Sequence, residues 1–361
     1  MSQLKVLVSG ASGFVAAWVV RTILERGHSV RGTVRNNAKG DYLKQIFKEH
    51  GDRFDYVVVE DVQQDGAFDK AVVGMDAVVH TASPFHMNAD DPQEMIRPAV
   101  HGTIAILESI LKHAPAVKRV VITSSTASVT DSPPPTDPPT SITYSEKDWN
   151  YESPRLVKEQ GKNVLQTHKY RASKSLAEQA AWEFIEKHKA EVKWDLVTLN
   201  PPFIFGPIIH DVRVPSVSSL NTSNNNFLTV LKNSSLTPAQ LASPVGNWVD
   251  VRDVAWAHAE SLVNDRVANR DRDPAFSEGK GRIILCASPY TWQDAFDAVV
   301  ETGNTLPETA PKGEPGRGKT AVHPILLDTR HAREVLGLKF RTMGESFGDL
   351  LADFKKRGWV S

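Results

Sequence analysis

Tyr170 and Lys174 stand four positions apart in the run Tyr170-Arg-Ala-Ser-Lys174. Residues at that spacing share one face of a helix, and Ala172, Leu176, Ala180 and Phe184 around them predict a helix over 169–187. A free phenol has a pKa of about 10, too high to exchange protons at neutral pH. An ammonium a few ångströms away favours the phenolate and lowers that value, so the pair is expected to do acid–base chemistry. With six tyrosines in the chain, chance alone supplies about 0.4 matches to this pattern, and its place one helix after the fifth predicted strand is what gives it weight. Ser125 closes the run Val120-Val-Ile-Thr123-Ser124-Ser125 and is expected to hydrogen-bond a substrate carbonyl and hold it for Tyr170. Taken by itself, that Ser/Thr run reads as a turn or a helix cap.

A second constellation lies near the start of the chain, in Val6-Leu-Val-Ser-Gly10-Ala-Ser12-Gly13-Phe14-Val15-Ala16. It follows a predicted strand and opens a predicted helix. Gly10 permits the tight turn, Gly13 lets backbone approach a pyrophosphate on the helix N-terminus, and Ala16 is small enough for close helix–strand packing. Dinucleotide binding follows from that context. An acidic residue after the second strand would hold a ribose 2′-hydroxyl; this chain has Arg35 there and Lys39 one helical turn later. A guanidinium suits a 2′-phosphate, so NADP(H) is the expected cofactor. Asp61 and Val62, after the third strand, are expected at the adenine. The small residues of His80-Thr81-Ala82-Ser83-Pro84 leave room for the nicotinamide ribose, with His80 itself a packed strand residue. Lys174 can hold the hydroxyls of that ribose.

Gly313-Glu-Pro-Gly-Arg-Gly318-Lys319-Thr320 satisfies the phosphate-loop pattern GxxxxGK[ST] letter for letter. The chemistry needs a buried strand before it and a helix after it. Thr302–Pro311 precedes it, rich in Thr and Pro, and Pro324 opposes a helix beyond it. Triphosphate binding is not expected here.

Short β-branched runs alternate with helical stretches over the first 200 residues. Strands are predicted at 4–8, 29–34, 56–59, 77–80, 118–124 and 195–199, with helices at 13–26, 39–49, 66–73, 94–112 and 169–187. Apolar strands separated by helices mean right-handed crossovers and a parallel sheet covered on both faces. The expected fold is therefore α/β, a doubly wound Rossmann-type parallel sheet, with ligands at the carboxyl ends of its strands. After residue 200 the texture changes to prolines, serines and asparagines. Helices are predicted at 250–259 and 344–357 and one strand at 282–286, while 132–140, 220–226 and 305–318 read as loops. Residues 1–200 are expected to form the NADP-binding domain, the chain returning to it at about 249–290. Residues 201–361 are expected to form a smaller, interleaved substrate-binding lobe without a clean sheet of its own. Phe85, Phe203, Phe205 and Trp248 are candidate walls of an apolar pocket.

Hydrophobic residues make up 40% and charged residues 24%, enough to build a core and too little charge imbalance, at −1 net, for a nucleic-acid-binding surface. A lone cysteine, Cys286, excludes an internal disulfide and fits a reducing compartment. No signal peptide and no membrane-spanning run is legible, so a cytoplasmic enzyme without membrane or metal partners is expected.

Together these residues resemble the extended short-chain dehydrogenase/reductases. More narrowly, they are similar to the branch of dihydroflavonol reductases, cinnamoyl-CoA reductases and fungal NADPH-dependent aldehyde, ketone and methylglyoxal reductases. The resemblance rests on VSGASGFVA at 8–16, HTASPF at 80–85, DPQEMIRPAVHGT at 91–103, VVITSS at 120–125, EKDWN at 146–150, YRASK at 170–174, NPPFIFGP at 200–207 and DVRDVAWAH at 250–258. It implies Ser125, Tyr170 and Lys174 as the catalytic triad. It implies Gly10, Ser12, Gly13, Phe14, Val15, Arg35, Lys39, Asp61, Val62, Thr81, Ala82, Ser83, Pro201, Phe203, Ile204 and Ser223 as cofactor-lining positions, with Tyr170 and Lys174. His101 falls where many members carry asparagine, which implies an altered proton relay if that asparagine supports one. The implied activity is NADPH-dependent reduction of a small-molecule aldehyde or ketone by a monomer or homodimer. A nucleotide-sugar epimerase or dehydratase, and a non-catalytic NADP-binding regulator, stay open as alternatives.

Overall fold

The computed structural model describes residues 3–82, 89–133, 136–212, 220–267 and 281–361. Its main sheet is built from β1 (Lys5–Ser9), β2 (Ser29–Val34), β3 (Phe54–Val58), β4 (Ala77–His80), β5 (Arg119–Thr123), β7 (Asp195–Asn200) and β10 (Arg282–Ile284). All neighbouring pairs are parallel, in the order β10-β7-β5-β4-β1-β2-β3. Val6, Leu7 and Val8 are fully buried because helices cover both faces, and each such side chain contributes roughly 1.5–3 kcal/mol. On one face lie α1 (Phe14–Glu25) and α9 (Val251–Ser261), packed against each other. On the other, α4 (Gln93–His113) packs along α6 (Gln166–Lys187). The remaining helices are α2 (Asn37–Ile46), α3 (Asp69–Val72), α5 (Glu152–Gln160), α7 (Thr222–Leu231), α8 (Pro238–Leu241), α10 (Trp292–Glu301) and α11 (Met343–Lys356). Among the described residues no helix is long and apolar enough to cross a membrane.

The part beyond residue 200 departs from expectation in two places. It carries a small sheet after all: β9 (Pro244–Asp250) lies between β8 (Phe203–Phe205) and β11 (Ser288–Thr291). A two-stranded parallel ribbon also joins β6 (Ile142–Tyr144) to β12 (Ile325–Leu327). In addition, most of the segment read as a loop at 220–226 belongs to α7. Its Ser- and Asn-rich start has little helical preference, but Phe227, Leu228 and Leu231 plunge into a core shared with Phe347, Leu350 and Phe354. The Phe227 ring lies 6.1 Å from Trp292 and 5.0 Å from Phe347. Tertiary burial overrides local propensity here. Phe205 and Trp248 belong to this same core, at 0% and 2% exposure, so they are packing residues rather than pocket walls. Phe85 lies outside the described residues.

The segment with phosphate-loop letters has neither a strand directly before it nor an α-helix after it; its own last four residues, Arg317–Thr320, form a short 3-10 turn. Its amides are already engaged by α10. Glu314 N donates to Gln293 Oε1 at 2.9 Å and Gly316 N donates to Asp297 Oδ2 at 2.7 Å.

Two buried histidines tie strand ends to their neighbours. His80 Nδ1 meets Ser9 Oγ at 2.8 Å, and His258 bridges Thr123 Oγ1 at 2.7 Å and the Val254 carbonyl at 2.8 Å. Burial pulls His80 down to about 3, helped by the nearby Lys174 charge, and pulls His258 down to about 4. Both are neutral in the folded protein and charge on unfolding below pH 6.5, so stability should be full above that pH and decline as pH falls through the window down to about 4. Between pH 7 and pH 5 the two should remove roughly 3–4 kcal/mol. Urea unfolding at both pH values checks this; equal midpoints would contradict it.

Candidate functional site

Ser125 sits two residues past the end of β5, at the carboxyl edge of the sheet. Its hydroxyl caps the turn Thr126–Ser128 by accepting from Ala127 N at 3.1 Å, so the plain structural reading of this Ser/Thr run holds as well. The same hydroxyl reaches the phenol of Tyr170 in a hydrogen bond and lies 3.4 Å from the Pro201 carbonyl. Lys174 Nζ stands 6.0 Å from the centroid of the Tyr170 ring, one turn along α6. The three expected residues are thus together.

Their electrostatics differ from the sequence expectation. Burial pushes the Tyr170 phenol above its ordinary value, opposed by the Ser125 hydrogen bond and by the Arg171 charge. Lys174 is itself pulled down to about 8 by burial, which the Glu178 carboxylate opposes. The ammonium over the ring face does not carry the phenol downward; desolvation of the phenolate outweighs it. The group therefore holds its proton on Tyr170 and its positive charge on Lys174 at neutral pH.

The glycine turn lies at the same edge. Gly10 has φ +65°, and a Cβ there would meet Ala82 Cα at 3.1 Å. Glycine is needed for both the conformation and the close approach of β4's extension. Gly10 N donates to Thr33 Oγ1 at 3.0 Å, fixing the turn to β2. Ser9 gathers the next strand's exit: Thr81 N and Ala82 N donate to its Oγ at 3.0 and 3.1 Å, and the Thr81 hydroxyl donates to its carbonyl. Because the Lys174 charge acts on His80, and His80 bonds Ser9, the turn and the Tyr–Lys pair border one crevice.

This crevice fits a dinucleotide. The N-terminus of α1 has Gly13 as its cap, no side-chain cap bond and no acidic residue in its first turn, which suits a pyrophosphate. Ser12 and Val15 are half-buried, and Phe14 is buried with its ring 5.5 Å from His210. Arg35 follows β2 directly and is exposed. Lys39 is not the free cation expected: its Nζ pairs with Asp211 at 3.3 Å, so a 2′-phosphate would share or displace that carboxylate. Asp61 is exposed and accepts from Gln63 N at 2.9 Å, while Val62 lies beside Gly102. Pro201 is buried, and its carbonyl accepts from Thr126 N at 3.0 Å. Phe203 and Ile204 lie in β8; the Ile204 carbonyl accepts from Asn221 at 3.3 Å, at the head of α7, where Ser223 is buried. Ser83 lies outside the described residues. His101 is exposed and pairs with Asp65 at 3.2 Å.

Sequence reasoning missed Ser9, Thr33 and the buried carboxylate of Glu178. Glu178 was legible in principle: it continues the i, i+4 series of Tyr170 and Lys174. A charged residue opening the apolar strand Arg282-Ile-Ile284 was the matching signal for its partner.

A model of the NAD dependent epimerase/dehydratase family matches residues 6–272. An NADPH-dependent methylglyoxal reductase of Saccharomyces cerevisiae is 35% identical over 98% of this chain and 98% of its own length. A cinnamoyl-CoA reductase of Medicago truncatula is 35% identical over 99% and 97%. The crystal structure of yeast methylglyoxal/isovaleraldehyde reductase complexed with NADPH superimposes with a TM-score of 0.81 at 32% identity, covering 99% of this chain and 100% of that one.

If Arg35 reads the 2′-phosphate, Arg35→Asp should weaken NADPH binding by roughly 10- to 100-fold, the scale of one charge-assisted contact, and leave NADH binding unchanged. Calorimetric titration of both dinucleotides checks this. Equal losses for the two would contradict the assignment.

Proposed function

The chain belongs to the NAD dependent epimerase/dehydratase family, and from that premise we propose that it is an NADPH-dependent carbonyl reductase acting on an aldehyde or ketone. The observation that carries the proposal is the hydrogen-bonded Ser125–Tyr170 pair with Lys174 beside it, bordering the glycine turn. The naming of the yeast relative for NADPH-dependent reduction supports it, as does a cation rather than a carboxylate after β2. Bound NADPH supplies a hydride. Ser125 donates to the carbonyl oxygen and polarises it; Tyr170 gives its phenolic proton to that oxygen as the carbon is reduced. Burial keeps the proton on Tyr170 beforehand, and the Lys174 ammonium stabilises the phenolate left behind.

In this reading residues 1–200, with 249–290, hold the cofactor, and residues 201–361 form the lobe that closes over substrate. The protein works in the cytoplasm as a monomer or homodimer on a small molecule, without nucleic acid or membrane. The intact Tyr–Lys pair argues against a regulator without chemistry, and Arg35 argues against the tightly held NAD of an epimerase.

Tyr170→Phe keeps the ring and removes the proton. NADPH should still bind while turnover falls by ~10²–10⁴. Lys174→Met should lower both kcat and cofactor affinity, and Ser125→Ala mainly kcat. In the wild type, carbonyl reduction should decline as pH rises through about 8, where Lys174 loses its charge while Tyr170 is still protonated. An NADPH-oxidation screen over aliphatic, aryl and keto-ester carbonyls, repeated across pH, measures all of this. A Tyr170→Phe enzyme of near-full activity would sink the proposal.

A further inference from the structure

Glu178 is 2% exposed, one helical turn past Lys174 and two past Tyr170 on the same face of α6. Its Oε2 takes hydrogen bonds from the Ser124 and Ser128 hydroxyls and from Asn200 Nδ2 at 2.8 Å. Its Oε1 accepts from Thr198 Oγ1 at 3.0 Å and from Arg282 Nε at 2.7 Å. Asn200 Nδ2 also reaches the Ser125 carbonyl at 3.2 Å and Ser128 Oγ at 3.0 Å. Glu178 is therefore one anchor of the turn that presents Ser125, beside the backbone bonds Thr126 N to the Pro201 carbonyl and Asn150 N to the Ser128 carbonyl. Arg282, fully buried, completes the anchor: its Nη1 donates to the carbonyls of Glu146 and Asp148 at 2.7 and 2.6 Å, and its guanidinium lies 3.7 Å over the Trp149 ring.

We propose that Glu178 is a positioning residue of the reductase site, fixing the Ser125 turn and holding the positive charge on Lys174. The proposal rests on the reading of the Ser125–Tyr170–Lys174 group given above. A buried ion pair is by itself weak evidence for a stabilising role, since well-packed apolar residues often replace one at no cost. What an apolar pair cannot supply is negative charge one turn from a buried ammonium. Burial would raise the Glu178 carboxyl, but Arg282 and the Ser124 and Ser128 hydroxyls hold it below the ordinary range, so it stays ionised. Among the described residues, Glu178 is the carboxylate whose charge acts on Lys174. Tyr170 keeps its proton, His80 on β4 is neutral, the end of β5 presents only hydroxyls, and the buried face of α4 holds no ionisable residue.

The test follows NADPH affinity by fluorescence, and kcat/KM for an aliphatic aldehyde, from pH 6 to pH 10. In the wild type the alkaline limb of NADPH binding should lie near pH 8. Glu178→Gln should move it down by at least one unit, roughly a fivefold weaker NADPH affinity at pH 8 and about tenfold by pH 10. That variant leaves Arg282 unpaired and can fail to fold; Glu178→Gln/Arg282→Met removes both charges and should recover the melting temperature. If the double variant regains stability and still shows the displaced limb, Glu178 acts through its charge. If it regains both stability and the wild-type limb, the role is structural only and the proposal falls. A wild-type limb below pH 7 would overturn it without any variant. Near-full activity of Tyr170→Phe would instead overturn the reductase reading, so the two failures are distinguishable.

Discussion

Strand order in the main sheet reverses between β1 and β4: the chain lays β2 and β3 outward on one side of β1, then returns to place β4, β5, β7 and β10 on the other. Two crossover connections leaving in opposite directions cannot fill the space above the strands where they part. That gap is where the backbone of Gly10 comes up against Ala82, where Ser9 collects the amides of Thr81 and Ala82, and where the Lys174 charge reaches His80. The site exists because topology leaves a crevice there, and the side chains that line it are those at the carboxyl ends of strands on either side.

The second constraint is electrostatic. Placing a phenol, an ammonium and a hydroxyl in a partly buried crevice penalises whichever of them is charged. The fold answers with a further buried charge, Glu178, and then must compensate that one with Arg282. The chain of compensation ends only when the guanidinium finds two carbonyls and an indole face in the Glu146–Trp149 stretch. The run Glu146–Asn150 thereby closes the buried network around Glu178 on its outer side. Removing one member of such a network leaves an uncompensated buried charge, which costs about 3–5 kcal/mol.

How much of this could be read from the sequence follows from the range of each interaction. The parallel strands were legible because burial on both faces makes them continuous apolar runs, as in Val6–Val8 and Val120–Ile122. The grouping of Ser125, Tyr170 and Lys174 was legible because Tyr170 and Lys174 are linked by helix geometry and Ser125 by its place at a strand end. The small sheet of β8, β9 and β11 was not, because Phe203–Phe205 and Ser288–Thr291 are too short to show a period. The start of α7 was not, because its helix depends on Phe227 finding Trp292 and Phe347, far away in sequence. The direction of the Tyr170 shift was misread for the same reason. The charge of Lys174 is a local fact and the desolvation of the phenol is not.

The glycine motifs at 10–13 and 313–318 make the same point from the opposite side. By letters, the second is the better match to a phosphate-binding pattern. A phosphate-binding loop works only if it opens a helix whose first amides are left for the anion. At Gly316 and Glu314 the amides are satisfied by Asp297 and Gln293, and a Cβ on Gly313 or Gly318 would strike Gln293 or Asp294. Those glycines serve the close packing of a loop on α10, and a carboxylate from the protein occupies the position an anion would take. At Gly10–Gly13 the helix that follows carries no side-chain cap and no acidic residue in its first turn. The difference between a nucleotide site and a packing motif thus lies in whether the fold has already supplied the anion.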